Sequence, residues 1–377
     1  SSGDKRRVRS WRGASAPLAT FPPTVSTQAH DASRNWFRPK SRPTAQSIVG
    51  LLLVGAVLAW LVVNLIASPA QFLTVLVLGI TFGSLYGLIA LGYTLVYGIL
   101  QLINFAHGDL FMLGGLLSGS FLISVFDLQG GKAWYVLWPL LLLTMVIAAT
   151  FCATLNIGIE AVAYRRLRNA PRLAPLITAV AMSFILQGVG LIFWGPRPTT
   201  TNNLVSESKI FDINGFSVTW NKLVIILVTT PVLIGLIWLV QKTRQGKAMR
   251  AVSQDMQAAS MMGINVNRTI SFTFALGGAL AGVAGILWMI YPGSMRFDTG
   301  FQTGLIAFTA AVLGGIGNLK GAVAGSMVIG LIQAFNEGLS IGSPGSNWTQ
   351  SIVFSILILI LVFRPEGLLG ERTPEGQ

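Results

Sequence analysis

The sequence has little charge, one cysteine and few histidines. Charged residues occupy 10% of the 377 positions, whereas soluble domains carry about a quarter. The single cysteine, Cys152, cannot form a disulfide within the chain, which excludes a disulfide-stabilised scaffold. With only His30 and His107 present, a metal site built on histidines is poorly supported. The composition therefore argues against a soluble enzyme, a disordered interaction protein and a small secreted scaffold.

The common motifs of nucleotide binding and catalysis are also missing. There is no G-x-x-x-x-G-K-[ST] phosphate loop, so we expect this chain not to hydrolyse ATP itself. The segment 315–321 (GIGNLKG) has a superficial likeness to a dinucleotide loop, but its spacing and apolar context are wrong. No Ser/His/Asp or H-E-x-x-H pattern is present. We therefore expect no enzymatic activity, no catalytic residues, no cofactor and no metal.

Apolar residues dominate the sequence and predict an all-α polytopic membrane protein. They make up 53% of the chain, and the mean hydropathy is +0.67. A membrane-spanning helix needs about 20 apolar residues. The short stretch 303–317 either crosses at a tilt or is re-entrant; counting it gives ten crossings, some short or broken. The other nine segments are 48–67, 72–99, 108–126, 135–158, 174–194, 223–240, 270–290, 320–338 and 350–363.

The net charge of +13 divides between a tail and the apolar region. Residues 1–47 contain nine Lys/Arg and two acids, a net charge of +7. This region is rich in Pro, Ser and Thr, which predicts a disordered basic tail rather than a nucleic-acid-binding domain. The tail could fix orientation, lie near anionic lipid, or be a targeting or misassigned start region. Residues 48–364 form the predicted transmembrane domain, and 365–377 a C-terminal tail.

The loop charges predict the orientation of the spans. With both termini in the cytosol, the inward regions after the tail hold twelve Lys/Arg and the outward loops hold five. This excess follows the positive-inside rule. Segment 241–269 is then the longest cytosolic loop, and 195–222 an extracytoplasmic loop in which the alternating stretch 210–219 could form a hairpin.

The cytosolic loop 241–269 contains a predicted amphipathic helix after Gly246. Met249, Val252, Met256 and Ala259 recur at helical spacing, while Lys247, Arg250 and Asp255 point elsewhere. Gly263 is a natural helix stop. The pattern leaves two interpretations open: a helix that lies on lipid, and a helix that docks into a partner through adaptable methionines.

Polar residues interrupt the apolar pattern at 103–109 (INFAHGD). Ionisable groups at membrane depth usually face a cavity or a partner, so Asn104, His107, Gly108 and Asp109 are candidates for a broken helix in a translocation pathway. The alternative is structural: Asn104 caps the following helix, and Asp109 interacts with the positive end of its dipole. Other ionisable groups within the spans are almost absent, which weakens an ion-coupled carrier.

Glycines are repeated at four-residue spacing, which allows close helix packing. One series lies around 79–87, and another includes Gly314 and Gly315, which are further broken-helix or pathway candidates. The stretch 274–285 loosely resembles 83–92, so the chain is compatible with two structural halves.

Four motifs in the same order resemble the membrane permease subunit of bacterial branched-chain and neutral amino acid ABC importers. The resemblance covers about residues 70–370. It implies a pairing with a second, related permease, two cytosolic ATP-binding subunits and an extracytoplasmic binding protein, in a bacterial inner membrane. The motifs are Leu100–Gly115 (LQLINFAHGDLFMLGG), Gly246–Ile264 (GKAMRAVSQDMQAASMMGI), Ala307–Lys320 (AFTAAVLGGIGNLK) and Phe363–Leu369 (FRPEGLL).

The resemblance also implies roles for individual residues. The segment 246–264 resembles a coupling helix, with Arg250 as a charged ATPase contact. The segment 104–109 resembles the family signature near the first broken helix, with Asp where Glu is also familiar. Glu160 and Arg165 are expected to orient a helix end. The residues expected to couple to the ATPase are Gly246, Lys247, Met249, Arg250, Ala251, Met256 and Gly263.

The mechanism that the resemblance implies is alternating access driven by ATPases on other chains. Three alternatives remain open: a urea or short-chain amide permease, a sugar-type permease of the same broad superfamily, and an ion-coupled carrier. Substrate identity does not follow from the sequence, because the same apolar residues can build pockets for different small molecules.

Overall fold

The computed structural model describes residues 45–102, 104–128, 133–168, 170–171, 173–201, 205, 209–213, 215–364 and 366–370. The chain divides into two units, residues 1–60 and residues 61–377. The described part of the first unit, residues 45–60, is helical. The predicted tail 1–47 lies outside the described residues apart from 45–47, which belong to the first helix and not to a tail.

The described chain is mainly helical, as predicted for an all-α membrane protein. Two π-helical turns, Phe121–Val125 and Glu160–Tyr164, extend α3 and α4, and a 3₁₀ turn follows at Arg165–Leu167. The helices are α1 (Ala45–Ala67), α2 (Pro69–Leu100), α3 (Ala106–Ser120), α4 (Trp134–Ile159), α5 (Leu173–Trp194), α6 (Trp220–Lys242), α7 (Arg244–Gln254), α8 (Met256–Met261), α9 (Val266–Ile290), α10 (Thr299–Gly314), α11 (Leu319–Gly338) and α12 (Ser346–Phe363).

All ten predicted spans correspond to helices of the described chain. Eight of them are long and apolar enough to cross a membrane: α2, α3, α4, α5, α6, α9, α11 and α12. The apolar part of α1 and the whole of α10 are shorter. The uncertain stretch 303–317 coincides with α10, whose 16 residues extend roughly 24 Å.

The loops cluster at the two ends of the unit 61–377 as the charge pattern predicted. At one end, the last turns of α2 and α6, helix α7 and the α10–α11 turn line a common cavity. At the other end, β1 (Thr199–Thr200) pairs antiparallel with β4 (Ser294–Met295). Helix α10 begins beside β4 and ends beside the cavity, so it connects the two ends of the unit. A re-entrant segment would begin and end on the same side.

The extracytoplasmic loop predicted at 195–222 contains the expected hairpin. Strand β2 (Lys209–Ile213) pairs antiparallel with β3 (Phe216–Thr219). Lys209 and Asp212 form an exposed ion pair at 2.5 Å, and the neighbouring ammonium group lowers the pKa of the Asp212 carboxyl group. The turn at Gly215 lies against Ala70 at the start of α2, which places the hairpin at the same end as β1 and β4.

Glycines allow the closest contacts between helices, and these contacts join two pairs of helices. Helix α2 packs against α11, and α9 packs against α4. A Cβ atom at Gly330 of α11 would lie 2.2 Å from the backbone nitrogen of Gly83, and one at Gly278 of α9 would lie 2.4 Å from the carbonyl oxygen of Cys152. Larger residues would prevent this approach. Helices α2–α4 and α9–α11 form two sets. The first helix of one set contacts the last helix of the other, α2 with α11 and α9 with α4. This symmetric packing supports two structural halves.

Candidate functional site

The predicted amphipathic helix after Gly246 is divided into two helices, α7 and α8. Asp255 separates them with an extended backbone (φ −153°, ψ 112°). Its carboxylate accepts hydrogen bonds from the backbone nitrogens of Gln257 at 2.7 Å and Ala258 at 3.0 Å. Asp is a preferred N-cap because it satisfies these free donors. The apolar spacing continues through the break, which is why the sequence pattern predicted one helix.

The apolar face of the coupling segment, which we define as α7 and α8, packs against the chain itself. Met249, Val252 and Ala259 are buried, and α7 contacts α2, α6 and α9. Met256 is half-buried. The predicted role of Met249 as a surface contact therefore changes, since its burial makes it an internal support of α7.

Gly246 allows α7 to begin directly against the end of α6. A Cβ atom at this position would lie 2.1 Å from the carbonyl oxygen of Val240 and 2.5 Å from that of Leu239. Thr243 caps α7 by accepting a hydrogen bond from the Gly246 nitrogen at 3.1 Å. The Arg250 guanidinium donates from Nη1 to the Val240 carbonyl. These contacts join α7 to α6, with Ala251 half-buried and Lys247 exposed beside them.

The exposed apolar surface of the coupling segment lies at its far end. Met261 and Met262 are 81% and 82% exposed. Gly263 follows with φ +81°, and the nitrogen of Ile264 donates to the Ala259 carbonyl at 3.1 Å. Gly263 thus ends the helix as predicted. The sequence interpretation did not single out these two methionines: Met261 lies off the spacing of 249, 252, 256 and 259, and Met262 continues that spacing yet is exposed.

A charged network joins the end of α4 to the start of α9 at this end of the molecule. The carboxylate of Glu160 is fully buried and binds Arg165 at 2.9 Å and also Arg168. Ser271 donates to the same carboxylate at 2.7 Å, and Arg168 donates to Asn267 at 2.7 Å. This supports the expectation that Glu160 and Arg165 orient the end of a helix.

The break between α2 and α3 lies where the polar string predicted it, but Asn104 does not cap α3. Gln101 ends α2 in the left-handed region, with φ 53°. The residue before α3 is Phe105, and no side chain caps the helix. Asn104 is buried and instead accepts a hydrogen bond from the Tyr164 hydroxyl at 2.8 Å. The contact with a residue 60 positions away prevents the local cap.

His107 and Gly108 are contact points between helices. The His107 ring is fully buried, lies edge-on to Tyr93 with centroids 4.8 Å apart, and occupies the space beside Gly92, where a Cβ atom would be 2.1 Å from Nε2. A Cβ atom at Gly108 would lie 2.4 Å from the Gly300 carbonyl oxygen and 2.9 Å from the Gly304 Cα. Gly108 therefore brings α3 and α10 into backbone contact.

Asp109 lies in the first turn of α3, as predicted, and connects α3 to α5. Its carboxylate is fully buried and accepts a hydrogen bond from the Ser183 hydroxyl, which in turn accepts one from the Gln187 amide at 3.1 Å. Neither partner was identified from the sequence, because single Ser and Gln residues in an apolar helix carry no motif. We call Asn104, His107, Asp109, Tyr164 and Ser183 the buried polar cluster.

Gly314 and Gly315 lie away from this cluster, at the end of α10. Gly315 has φ +104°, and a Cβ atom there would lie 2.6 Å from the Gly370 nitrogen. The backbone nitrogens of Leu368 and Leu369 donate to the carbonyls of Leu313 at 2.8 Å and Gly314 at 3.1 Å. The two glycines therefore end a helix beside the segment 366–370, which we call the C-terminal strap, and do not interrupt a helix.

Comparison with known proteins agrees with this arrangement. Residues 75–362 match the family described as branched-chain amino acid transport system / permease component. The high-affinity branched-chain amino acid transport system permease protein BraD of Pseudomonas aeruginosa is 38% identical over 310 residues, which cover 81% of this chain and 98% of BraD. LivH of Escherichia coli strain K12, with the same description, is 37% identical over 303 residues, covering 79% of this chain and 95% of LivH.

A more distant relative is the autoinducer 2 import system permease protein LsrD of Escherichia coli O157:H7. It is 25% identical over 242 residues, which cover 63% of this chain and 71% of LsrD. The match to the branched-chain amino acid permeases is longer and stronger, and it includes both the buried polar cluster and the coupling segment. This chain therefore belongs to the family of permease components of branched-chain amino acid transport systems.

Proposed function

We propose that this chain is the membrane-spanning permease subunit of an ATP-driven importer for branched-chain or other neutral amino acids. It pairs with a related permease and receives substrate from an extracytoplasmic binding protein. Two cytosolic ATPases supply the energy, and the chain itself catalyses no reaction. Transport proceeds by alternating access between the two sides of the inner membrane.

The observation that carries the proposal is the coupling segment in a chain that belongs to this family. The segment is attached firmly to the bundle at Gly246 and Arg250, yet it exposes Met261 and Met262 at its tip. Flexible methionine side chains adapt well to a partner's groove. A movement of the ATPase at this tip would therefore reach α6 through short, well-packed contacts.

The proposed orientation places this end in the cytosol. The reason is the excess of Lys/Arg in the loops that gather there, twelve against five in the outward loops. The only native cysteine is buried, so it need not be removed before other cysteines are introduced. An introduced cysteine then shows on which side of the membrane its position lies. Met262→Cys should react with a membrane-impermeant thiol reagent only in inside-out vesicles, and Lys209→Cys only in intact cells with a permeabilised outer membrane.

The proposed docking is tested with the double variant Met261→Glu/Met262→Glu, produced with its ATPase and binding-protein partners. We expect at least a tenfold loss of co-purified ATPase and of leucine uptake into proteoliposomes, because two charges replace the exposed apolar contact. The control Gln257→Glu adds a carboxylate to the same helix at another exposed position and keeps both methionines. Wild-type assembly and uptake in the double variant would contradict docking at this surface.

The substrate class is tested separately with the complete transporter. Uptake should be competed by leucine, isoleucine, valine and alanine, and not by urea or short-chain amides. Uptake by the lone purified chain under an ion gradient would instead establish the ion-coupled alternative.

A further inference from the structure

A cavity of about 470 Å³ lies at the proposed cytosolic end of the bundle. The last turns of α2 and α6 form two of its sides, α7 forms another, and the α10–α11 turn closes it together with Gly370 of the C-terminal strap. Its size falls within the roughly 300–1,000 Å³ of ordinary ligand pockets. None of the polar residues of the buried polar cluster lines it, so it is distinct from that cluster.

Two cations line this cavity, and among the described residues no lining side chain carries a carboxylate. Arg250 uses one guanidinium nitrogen for the Val240 carbonyl, which leaves its other donors for a ligand. Lys320 is exposed at the start of α11, and within the described part of the chain its ammonium group has no partner. Two like charges beside one cavity, without an acid between them, favour the binding of an anion.

A third polar group lies on the inner wall. The Thr94 side chain lines the cavity and is 1% exposed, and its hydroxyl has no hydrogen-bond partner. An unpaired buried hydroxyl costs free energy, and an anionic oxygen in the cavity would accept a hydrogen bond from it. Apolar residues such as Leu95, Ile99 and Met249 form part of the remaining wall, beside the polar Gln241, Ser253 and Asn318. The apolar part suits the carbon chain that carries such an anion.

We propose that this cavity binds the phosphate group of a phosphate ester, with Arg250, Lys320 and Thr94 as donors. The cavity lies where α2 and α6 end, the level at which phospholipid head groups meet helix ends, and basic pockets between helices on the cytosolic side bind such head groups. The chemistry is shared by an anionic phospholipid and a soluble phosphate ester. This inference rests on the proposed orientation of the chain in the membrane, and not on the substrate that it transports.

The bound phosphate would connect two parts of the molecule, the coupling segment and the α10–α11 turn. Arg250 belongs to α7 of the coupling segment, and Lys320 follows the α10–α11 turn, which the C-terminal strap holds at Leu313 and Gly314. One anion bound by both cations therefore fixes the coupling segment to the end of α10. An anionic ligand would stabilise the position of α7 against the bundle.

The test uses the full purified chain in a zwitterionic detergent and measures its midpoint of thermal unfolding. The probes are phosphatidylglycerol, phosphatidylcholine and glycerol 3-phosphate. We expect phosphatidylglycerol to raise the midpoint by several degrees and phosphatidylcholine to leave it unchanged, since only the former carries a net negative charge. If millimolar glycerol 3-phosphate raises the midpoint as much as phosphatidylglycerol does, the ligand is a soluble phosphate ester. If phosphatidylglycerol raises the midpoint and glycerol 3-phosphate does not, the ligand is the lipid.

Variants locate the binding. In Lys320→Gln and Arg250→Gln, the rise relative to each variant's own midpoint should fall to less than half. Lys247→Gln removes the same charge from α7 at an exposed position that does not line the cavity, and it should keep the full rise. Lys320→Gln removes no side-chain hydrogen bond or ion pair within the described ranges, so it remains informative if Arg250→Gln folds poorly. A wild-type rise in Lys320→Gln, or no rise with either phosphate probe, would overturn the proposal.

Discussion

The coupling segment and the buried polar cluster were both identified from sequence motifs, but they differ in how the fold uses them. The coupling segment keeps its apolar face inside and exposes charged side chains and two methionines. In the cluster, by contrast, Asn104, His107 and Asp109 are all buried, and their contacts lie within the chain. The first motif is the surface that we propose for a partner, whereas the second connects the start of α3 to α5 and to the π-helical turn after α4.

The two regions also differ in how glycine is used. At Gly108 the glycine allows two membrane helices to touch along their backbones, whereas at Gly246 it allows a short helix to begin beside the end of another. The first contact lies in the centre of the bundle, and the second joins an appended segment. Substitutions at the two positions should therefore separate loss of the fold from loss of coupling.

The largest effect is expected for Gly108→Ala. Its Cβ atom would meet backbone atoms of Gly300 and Gly304 at 2.4 and 2.9 Å, and backbone cannot move aside as a side chain can. We expect a destabilisation of about 3 kcal/mol, measured by denaturant unfolding in detergent. Gly188→Ala, on α5 with nothing within 4 Å of the added atom, is the matched control and should keep wild-type stability. Equal stability of the two variants would show that α3 and α10 do not pack as described.

Gly246→Ala should affect coupling more than folding. The added atom would lie 2.1 Å from the Val240 carbonyl oxygen, so α7 must move away from α6. We expect the unfolding midpoint to change less than in Gly108→Ala, while leucine-stimulated ATPase activity of the assembled transporter falls at least tenfold. Gly235→Ala, on α6 with open space around it, should retain activity. Full coupling in Gly246→Ala would mean that the α6–α7 junction does not transmit movement.

Ser183→Ala tests the polar contact between α3 and α5. It removes the hydroxyl that donates to the buried Asp109 side chain, and leaving a buried acceptor without its hydrogen bond costs about 1–3 kcal/mol. The free energies of unfolding of Ser183→Ala, Asp109→Asn and the double variant, measured with denaturant, give the interaction energy between the two side chains. Strictly additive losses would exclude a direct interaction between the two side chains.

The smallest global effect is expected for Asp255→Ala. It removes the N-cap of α8 and should cost about 1 kcal/mol locally, because α8 is short and lies at the surface. Hydrogen exchange should increase over residues 256–261, with little change in the unfolding of the bundle. Asp255→Asn keeps a capping oxygen and should show wild-type exchange; faster exchange in both variants would point to the charge and not to the cap.

Much of the fold follows from local sequence properties. The apolar runs predicted each of the ten helices, the distribution of Lys/Arg predicted which loops gather at each end, and Gly263 ends α8 as expected. Long apolar segments leave a chain few alternatives, since backbone groups in lipid must be satisfied within helices.

The errors arose where a distant residue decides the outcome. Asn104 was expected to cap α3, but Tyr164, in the π-helical turn after α4, binds its side chain. Gly314 and Gly315 were candidates for a broken helix, but they end α10, and the C-terminal strap binds beside them. The break at Asp255 was missed because a capping side chain acts on the next two backbone nitrogens and leaves the apolar spacing unchanged.

The sequence by itself determined the class of protein, the positions of its ten apolar helices and the family, because these depend on composition, on runs of apolar residues and on linear motifs. Only the tertiary structure decided which motif residues are surface and which are interior. Met249 became buried and Met262 exposed although both are apolar residues of one segment. The physical reason is that burial depends on which helices meet, and that meeting is set by glycine contacts between segments far apart in the chain.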